Sequence, residues 1–246
     1  MNASLPYQYT PLQEPNSIRI LCLSAGSSRI LSAELVETTL GSNLAYEAIS
    51  YAWGSSELSR PLSVQGGKIL WITASLYKAL RAIRHSITKC GTRYVWADGV
   101  CINQDDNDEK SRQVQLIPEI YRSACRVITY VGENTHNVSR GIDLANRLIL
   151  AREERQQSRN AMTIAAAYAR HRVPGKYEPA WESLRDFLSR SWYTRMWIVQ
   201  ESLLNSKMIM MCGSVMINWE VFTNLNAAME QAEPMQYDTL QPNSEK

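Results

Sequence analysis

Three segments of this 246-residue chain bring aromatic rings and polar groups close enough together to build a binding site. The first, Ser50-Tyr51-Ala52-Trp53-Gly54, ends an apolar run in two rings and a glycine. It is either a strand end packing its rings, or a stacking platform on which Gly54 lets a ligand approach the backbone. The second runs from Trp96 to Gln104 and sets Asp98-Gly99 directly behind a short apolar stretch. An Asp in that position most often caps the turn that follows, and Asn103 and Gln104 bring donors and acceptors together that would brace the loop. Cys101 lies in the same segment, but no histidine is near in sequence to activate it, which argues against a nucleophile. The third runs from Ser191 to Glu201. On a helix Trp197 and Glu201, four residues apart, share a stripe. A carboxylate beside an indole can be desolvated and its pKa raised, which suits acid/base or charge-stabilising work. The competing reading is a surface Glu201 paired with Arg195 or Arg190.

Positioning these segments requires a scaffold, and the pattern of the chain predicts one. Ile18–Leu23, Ile30–Leu35 and Tyr46–Trp53 read as strands. Residues 61–65 and 68–72 read as a hairpin turned by Gly66-Gly67, since paired glycines supply the positive φ of a two-residue turn. Thr73 is placed to cap a helix whose apolar face is Leu76, Ala79, Leu80 and Ile83. A short strand, Arg93–Ala97, delivers Asp98 at its carboxyl end. Asn107 or Asp108 then caps a helix with Val114, Ile117, Tyr121 and Ala124 inward, and Pro118 is expected to kink it. Arg126–Val131 is a further strand. Residues 139–172 read as helical with a charged surface turn at Arg152–Gln157, and Pro179 opens another helix. Helices are also expected over 193–205 and 219–232, with a strand at Met208–Cys212 between them. The alternation predicts an α/β fold with a doubly wound, mainly parallel sheet flanked by helices and extended at its N-terminal side by antiparallel strands and a hairpin. Residues 1–16 are expected as a flexible arm, 17–232 as a single domain and 233–246 as a disordered polar tail.

Composition narrows the chemistry. The net charge of +2 comes from 26 basic and 24 acidic residues mixed along the chain, so no basic stripe marks a nucleic-acid partner. Five scattered cysteines and three histidines form no local zinc pattern, so no metal is expected. Glycine-rich phosphate loops and nucleophile elbows are absent. No apolar run approaches the roughly 20 residues of a membrane span, and Met1–Pro15 lacks the features of a secretory leader. The expected location is cytoplasmic.

Taken in order, the blocks are distinctive. Tyr46-Glu-Ala-Ile-Ser-Tyr-Ala-Trp-Gly54, then Trp96-Ala-Asp-Gly-Val-Cys-Ile-Asn-Gln104 with Glu109, Gln113 and Ile120-Tyr121-Arg-Ser-Ala124, then Trp192-Tyr-Thr-Arg-Met-Trp-Ile-Val-Gln-Glu201, resemble the fungal heterokaryon-incompatibility (HET) domain over about residues 17–225. The resemblance implies a cell-death effector of non-self recognition. It further implies a remote likeness to the TIR domain, a doubly wound module whose catalytic members carry a Trp-x-x-x-Glu-like segment, matched here by Trp197 to Glu201. On that footing Glu201 is the expected catalytic residue in cleaving the nicotinamide–ribose bond of NAD. Tyr51, Trp53, Gly54, Asp98, Asn103, Arg195 and Trp197 are its expected substrate contacts. NAD would be a substrate, not a resident cofactor. The alternative is a non-catalytic, self-associating module that triggers death through a partner. Self-association, with an upstream non-self sensor, is expected under either.

Overall fold

The computed structural model describes residues 5–26, 28–85, 91–158, 163–195, 204–219, 223–225 and 227–229. It divides into two compact units, residues 1–133 with 191–216, and residues 134–190 with 217–246. The candidate segments Tyr51–Gly54 and Trp96–Asn103, and the stretch Ser191–Arg195, all fall in the first unit. Trp197 and Glu201 lie outside the described residues, as does the tail from residue 233.

The fold is mixed α/β, with a nine-stranded sheet whose central strands run parallel and are flanked by helices. The strands are β1 (Ser17–Ser24), β2 (Leu31–Thr39), β3 (Glu47–Tyr51), β4 (Leu58–Val64), β5 (Lys68–Thr73), β6 (Thr92–Trp96), β7 (Arg126–Tyr130), β8 (Met208–Cys212) and β9 (Val215–Asn218). Their spatial order is β5-β4-β2-β1-β6-β3-β7-β8-β9. Strand β3 pairs in parallel with β6 and β7, and β7 with β8. The antiparallel extension is β2 and β6 on β1, and β5 on β4. Burial follows the pairing. Every residue of β3 is buried, as expected of a parallel strand covered on both faces, whereas β2 buries alternate residues Leu31, Ala33 and Leu35. The hairpin turn has φ of 70° at Gly66 and 85° at Gly67, the conformation that glycine adopts without strain.

Helix α1 (Ala74–His85) starts at Thr73, whose hydroxyl accepts from the Leu76 amide at 3.2 Å. A single turn, α2 (Asp98–Cys101), follows β6 and leads to α3 (Asn107–Ser123). The cap of α3 is Asp106, not Asn107 or Asp108: its carboxylate takes the amides of Asp108 and Glu109. The inward stripe also differs from expectation. Val114 is 46% exposed, and the buried face is Glu109, Gln113, Ile120 and Tyr121. Two polar side chains are held there by hydrogen bonds. Gln113 donates to the Ser17 carbonyl at 2.8 Å, and Glu109 receives Arg19 through two bonds, 2.5 Å and 2.9 Å. Arg19 also donates to the carbonyls of Thr10 and Cys101. Both members of this ion pair are 3% exposed.

Residues 5–10, expected as a loose arm, run beside β5: the Tyr7 amide donates to the Ile69 carbonyl at 2.8 Å and the Ile69 amide to the Leu5 carbonyl at 2.9 Å. This covers backbone groups that an edge strand would otherwise present. Tyr9 goes on to bond the Val100 carbonyl and to lie under the Arg19 guanidinium.

The second unit contains α4 (His136–Gln157), α5 (Ile164–Arg170) and α6 (Pro179–Leu188). Arg152–Gln157 is helical, not a turn, because α4 continues to the end of the charged stretch. Gly141 permits the close approach of α4 to α6: a Cβ there would meet the Ser183 carbonyl oxygen at 2.6 Å.

The buried ion pair makes a stability prediction. Glu109→Ala leaves the Arg19 charge uncompensated, and the expected loss is about 3–5 kcal/mol in urea unfolding. The double variant Arg19→Met with Glu109→Leu is expected to recover most of it. Equal instability of the single and double variants would show that packing, not charge, is what Glu109 supplies.

Candidate active site

The parallel strands end where the aromatic segments begin. Beyond Tyr51 on β3 the chain passes Ala52 and Trp53 to Gly54, whose φ of 64° lies in the left-handed region favoured by glycine. Beyond Trp96 on β6 it passes Ala97 to Asp98. These two strand ends, the α3 face and Ser191–Arg195 enclose a cavity of about 540 Å³. Its aromatic and charged wall is Trp53, Trp96, Tyr121, Asp98 and Arg195, and Gly54 lies at its edge. The α3 contribution is Val114, Ile117, Pro118 and Tyr121, one helical stripe. The sequence pattern marks three of these four as a core face; Tyr121 is buried as expected, while Val114 faces the cavity and is exposed. Pro118 sits within α3 and has no N–H for the Val114 carbonyl.

Asp98 is the polar centre. One carboxylate oxygen accepts from the Trp53 indole N–H at 2.9 Å, the other from the Gly99 amide at 2.7 Å. The Gln104 side chain donates to the Asp98 backbone carbonyl at 2.8 Å and fixes the turn from the other side. Burial pushes the Asp98 carboxyl above its ordinary range, while the Trp53 bond, the Arg195 charge and the Gly99 amide hold it back. Beneath it the Tyr51 hydroxyl makes no hydrogen bond of good geometry among the described residues, yet stands near enough to Asp98 for each to perturb the other. Burial raises the Tyr51 hydroxyl well above its ordinary value. A Cβ on Gly99 would collide with that hydroxyl, so only glycine fits there with Tyr51 in place.

Arg195 is steered by Ser50, a fully buried residue on β3 that accepts from its guanidinium at 3.0 Å and from the Trp192 indole at 2.8 Å. The Trp96 ring stands edge-on to Tyr121 at 5.8 Å, and its buried indole N–H has no partner among the described residues. An unpaired buried donor is costly.

The structure thus brings Trp53, Gly54, Asp98 and Arg195 together around one cavity, with Tyr51 just beneath. Asn103 is elsewhere: its side chain accepts from the Asp105 amide at 3.3 Å, and its own amide donates to Glu109 at 2.7 Å, so it braces the loop below the cavity. Cys101 is fully buried, and burial pushes its thiol up to about 12, which removes it as a nucleophile at neutral pH. Ser50, Trp96 and Tyr121 were not singled out as site residues from sequence. Ser50 and Trp96 lie in the marked segments, and Tyr121 falls on the stripe of Val114, Ile117 and Pro118, but nothing in the sequence separated them from core residues. Among the described residues no group of metal-ligating side chains is found, and no helix is long and apolar enough to cross a membrane.

Comparison with known proteins matches residues 46–201 to the family model described as "Heterokaryon incompatibility protein (HET)". The chain is also similar to heterokaryon incompatibility protein 6, OR allele, of Neurospora crassa, at 29% identity over 217 residues. That alignment covers 75% of this chain and 31% of the relative, so the chain spans about a third of the relative's length. No solved structure matches.

The raised Asp98 pKa gives a signed prediction. Folding favours the protonated carboxyl, so its stabilisation is complete below the ordinary carboxylate value and is lost as pH rises through the raised one. Asp98→Asn removes that dependence and also leaves one of the two donors facing an NH2. The stability gap between wild type and variant is therefore expected to be widest in acid and to narrow as pH rises across that window. Thermal unfolding at a series of pH values measures it, and a gap that widens with pH would reverse the assignment.

Proposed function

The chain belongs to the heterokaryon-incompatibility (HET) family, and from that premise we propose that it acts in fungal incompatibility as a cell-death effector that cleaves the nicotinamide–ribose bond of NAD. The observation that carries the proposal is the cavity at the carboxyl ends of the parallel strands, where three aromatic side chains, a carboxylate and a guanidinium converge. Ligands in open α/β sheets bind in such crevices. A volume of about 540 Å³ is of the size that holds part or all of a nucleotide. Trp53 offers its face to a planar ring, Asp98 accepts from ribose hydroxyls, and Arg195 offsets phosphate charge.

In the proposed reaction the C1′–N1 bond breaks with both electrons passing to the nicotinamide nitrogen. The pyridinium leaves as neutral nicotinamide, so no general acid is needed. The ribose carbon left behind is oxocarbenium-like, and a fixed carboxylate lowers the barrier by stabilising that charge. Water adds to C1′ and loses a proton, giving ADP-ribose. Glu201 is assigned the carboxylate role from its place in Trp197-Ile-Val-Gln-Glu201, two to six residues beyond the wall residue Arg195. Activity is proposed to require self-association, downstream of a non-self sensor.

Nicotinamide release by purified protein, free and clustered on a multivalent scaffold, tests this. Clustered wild type is expected to turn NAD over, Glu201→Gln to be slower by about 100-fold or more, and Arg195→Gln to raise KM more than it lowers kcat. If clustered wild type releases nothing while Glu201→Ala still kills fungal cells, the chain is an interaction module whose partner executes death.

A further inference from the structure

At the other end of the same parallel strands lies a second cavity of about 760 Å³, outside everything assigned above. Its charged lining is Glu47, Arg93, Arg126 and Lys207, three cations against one carboxylate. The excess is built in by register. Glu47 of β3 is paired with Arg126 of β7, and Arg126 and Lys207 each stand one position before the paired residues Val127 and Met208. The Val127 amide donates to the Lys207 carbonyl at 3.0 Å, which closes that row across the sheet. Glu47, Arg126 and Lys207 therefore sit side by side on neighbouring strands, about 4.8 Å apart.

The carboxylate is already committed. Glu47 is 6% exposed and takes two bonds of 2.5 Å from Arg93 and a further bond from Arg126 Nε. Arg93 also reaches the Ile83 carbonyl. Among the described residues Arg126 pairs only through Nε, which leaves the terminal nitrogens of its guanidinium available, and the Lys207 ammonium forms no salt bridge. Like charges on adjacent strands destabilise a sheet unless something offsets them. Glu47 offsets Arg126 in part and solvent reaches Lys207, so a bound anion would add to what is already there.

We propose that this cavity binds the phosphate of a phosphorylated small molecule, held by Arg126 and Lys207. A guanidinium oriented by a buried carboxylate offers a fixed fork, and the neighbouring ammonium a point charge, a combination that matches the oxygens of one phosphate. The remaining volume is walled by Met208, Ile209 and Met216, room for an apolar or ring-bearing remainder. Two available cations in a concavity suit a small anion, not the long basic stripe that a nucleic acid needs.

Titration calorimetry with inorganic pyrophosphate and with ADP tests the site. Both are expected to bind saturably, more weakly as salt rises. Lys207 is exposed, so Lys207→Glu is expected to keep the fold, by circular dichroism, while weakening both probes about tenfold or more; Lys207→Arg is expected to retain them. Tighter binding of ADP than of pyrophosphate identifies a nucleotide, and equal binding a ligand read by its phosphate alone. Arg195→Gln, in the first cavity, is expected to leave the Lys207-dependent part of pyrophosphate binding unchanged. Absence of saturable binding up to about 10 mM, an affinity indifferent to Lys207→Glu, or a loss confined to Arg195→Gln overturns the proposal. None of these outcomes depends on NAD cleavage.

Discussion

The Arg19–Glu109 pair is the fixed point from which the first cavity is built. Taking two charges to 3% exposure is favourable only if geometry and further hydrogen bonds satisfy both, and here they do. The guanidinium spends its donors on Glu109 and on the carbonyls of Thr10 and Cys101, and Glu109 also takes the Asn103 amide. Those partners come from the N-terminal arm, β1, the turn after β6 and α3. Asp98 begins the very turn whose last carbonyl Arg19 holds, so the carboxylate in the cavity is positioned by a charge pair behind it. Tyr9 completes the support, bonding the Val100 carbonyl while its ring lies 4.9 Å from the Arg19 carbon.

Parallel strands give the unit two unlike ends. At the carboxyl ends, loops rise away from the sheet and carry rings, one carboxylate and one guanidinium. At the amino ends, side chains of the first strand residues meet directly across the sheet, and register decides which charges are neighbours. Strand β3 serves both: it begins at Glu47, which binds two arginines, and closes with Ser50, which orients Arg195, and Tyr51, which underlies Asp98. Its complete burial is what allows five residues to fix two separate sites. A polar residue in such a strand is tolerated only when partnered, and Glu47 and Ser50 are.

What could be read in advance was local. Gly66-Gly67 and Thr73 announce a turn and a cap because the partners lie within a few residues. Asp98 announces its own bond to the Gly99 amide for the same reason. The strand ends were legible as a site because aromatic residues follow apolar runs there. Partners far along the chain were not. Arg19 and Glu109 are separated by 90 positions, Trp53 and Asp98 by 45, Ser50 and Arg195 by 145, and no periodicity couples such pairs. Periodicity also misjudged α3, because apolar spacing selects a stripe by hydrophobicity whereas this helix buries Glu109 and Gln113 and turns Val114 toward the cavity. Strand β9 was missed because four residues, Val-Met-Ile-Asn, carry too little alternation to be separated from the turn before them.

The electrostatics of the first cavity constrain what its own carboxylate does in the proposed reaction. Glycoside cleavage in general needs a group with a raised pKa to protonate the leaving oxygen, and Asp98, raised by burial, has that character. A pyridinium leaving group removes the need, since nicotinamide departs neutral without a proton. An acid is then redundant, and what the transition state requires is negative charge near the ribose. Asp98 is restrained on both oxygens by Trp53 and Gly99, so its charge is held in place but partly spent on donors already present. That makes it better suited to fixing hydroxyls than to meeting the developing cation, and it leaves the second role to a carboxylate less encumbered by its neighbours.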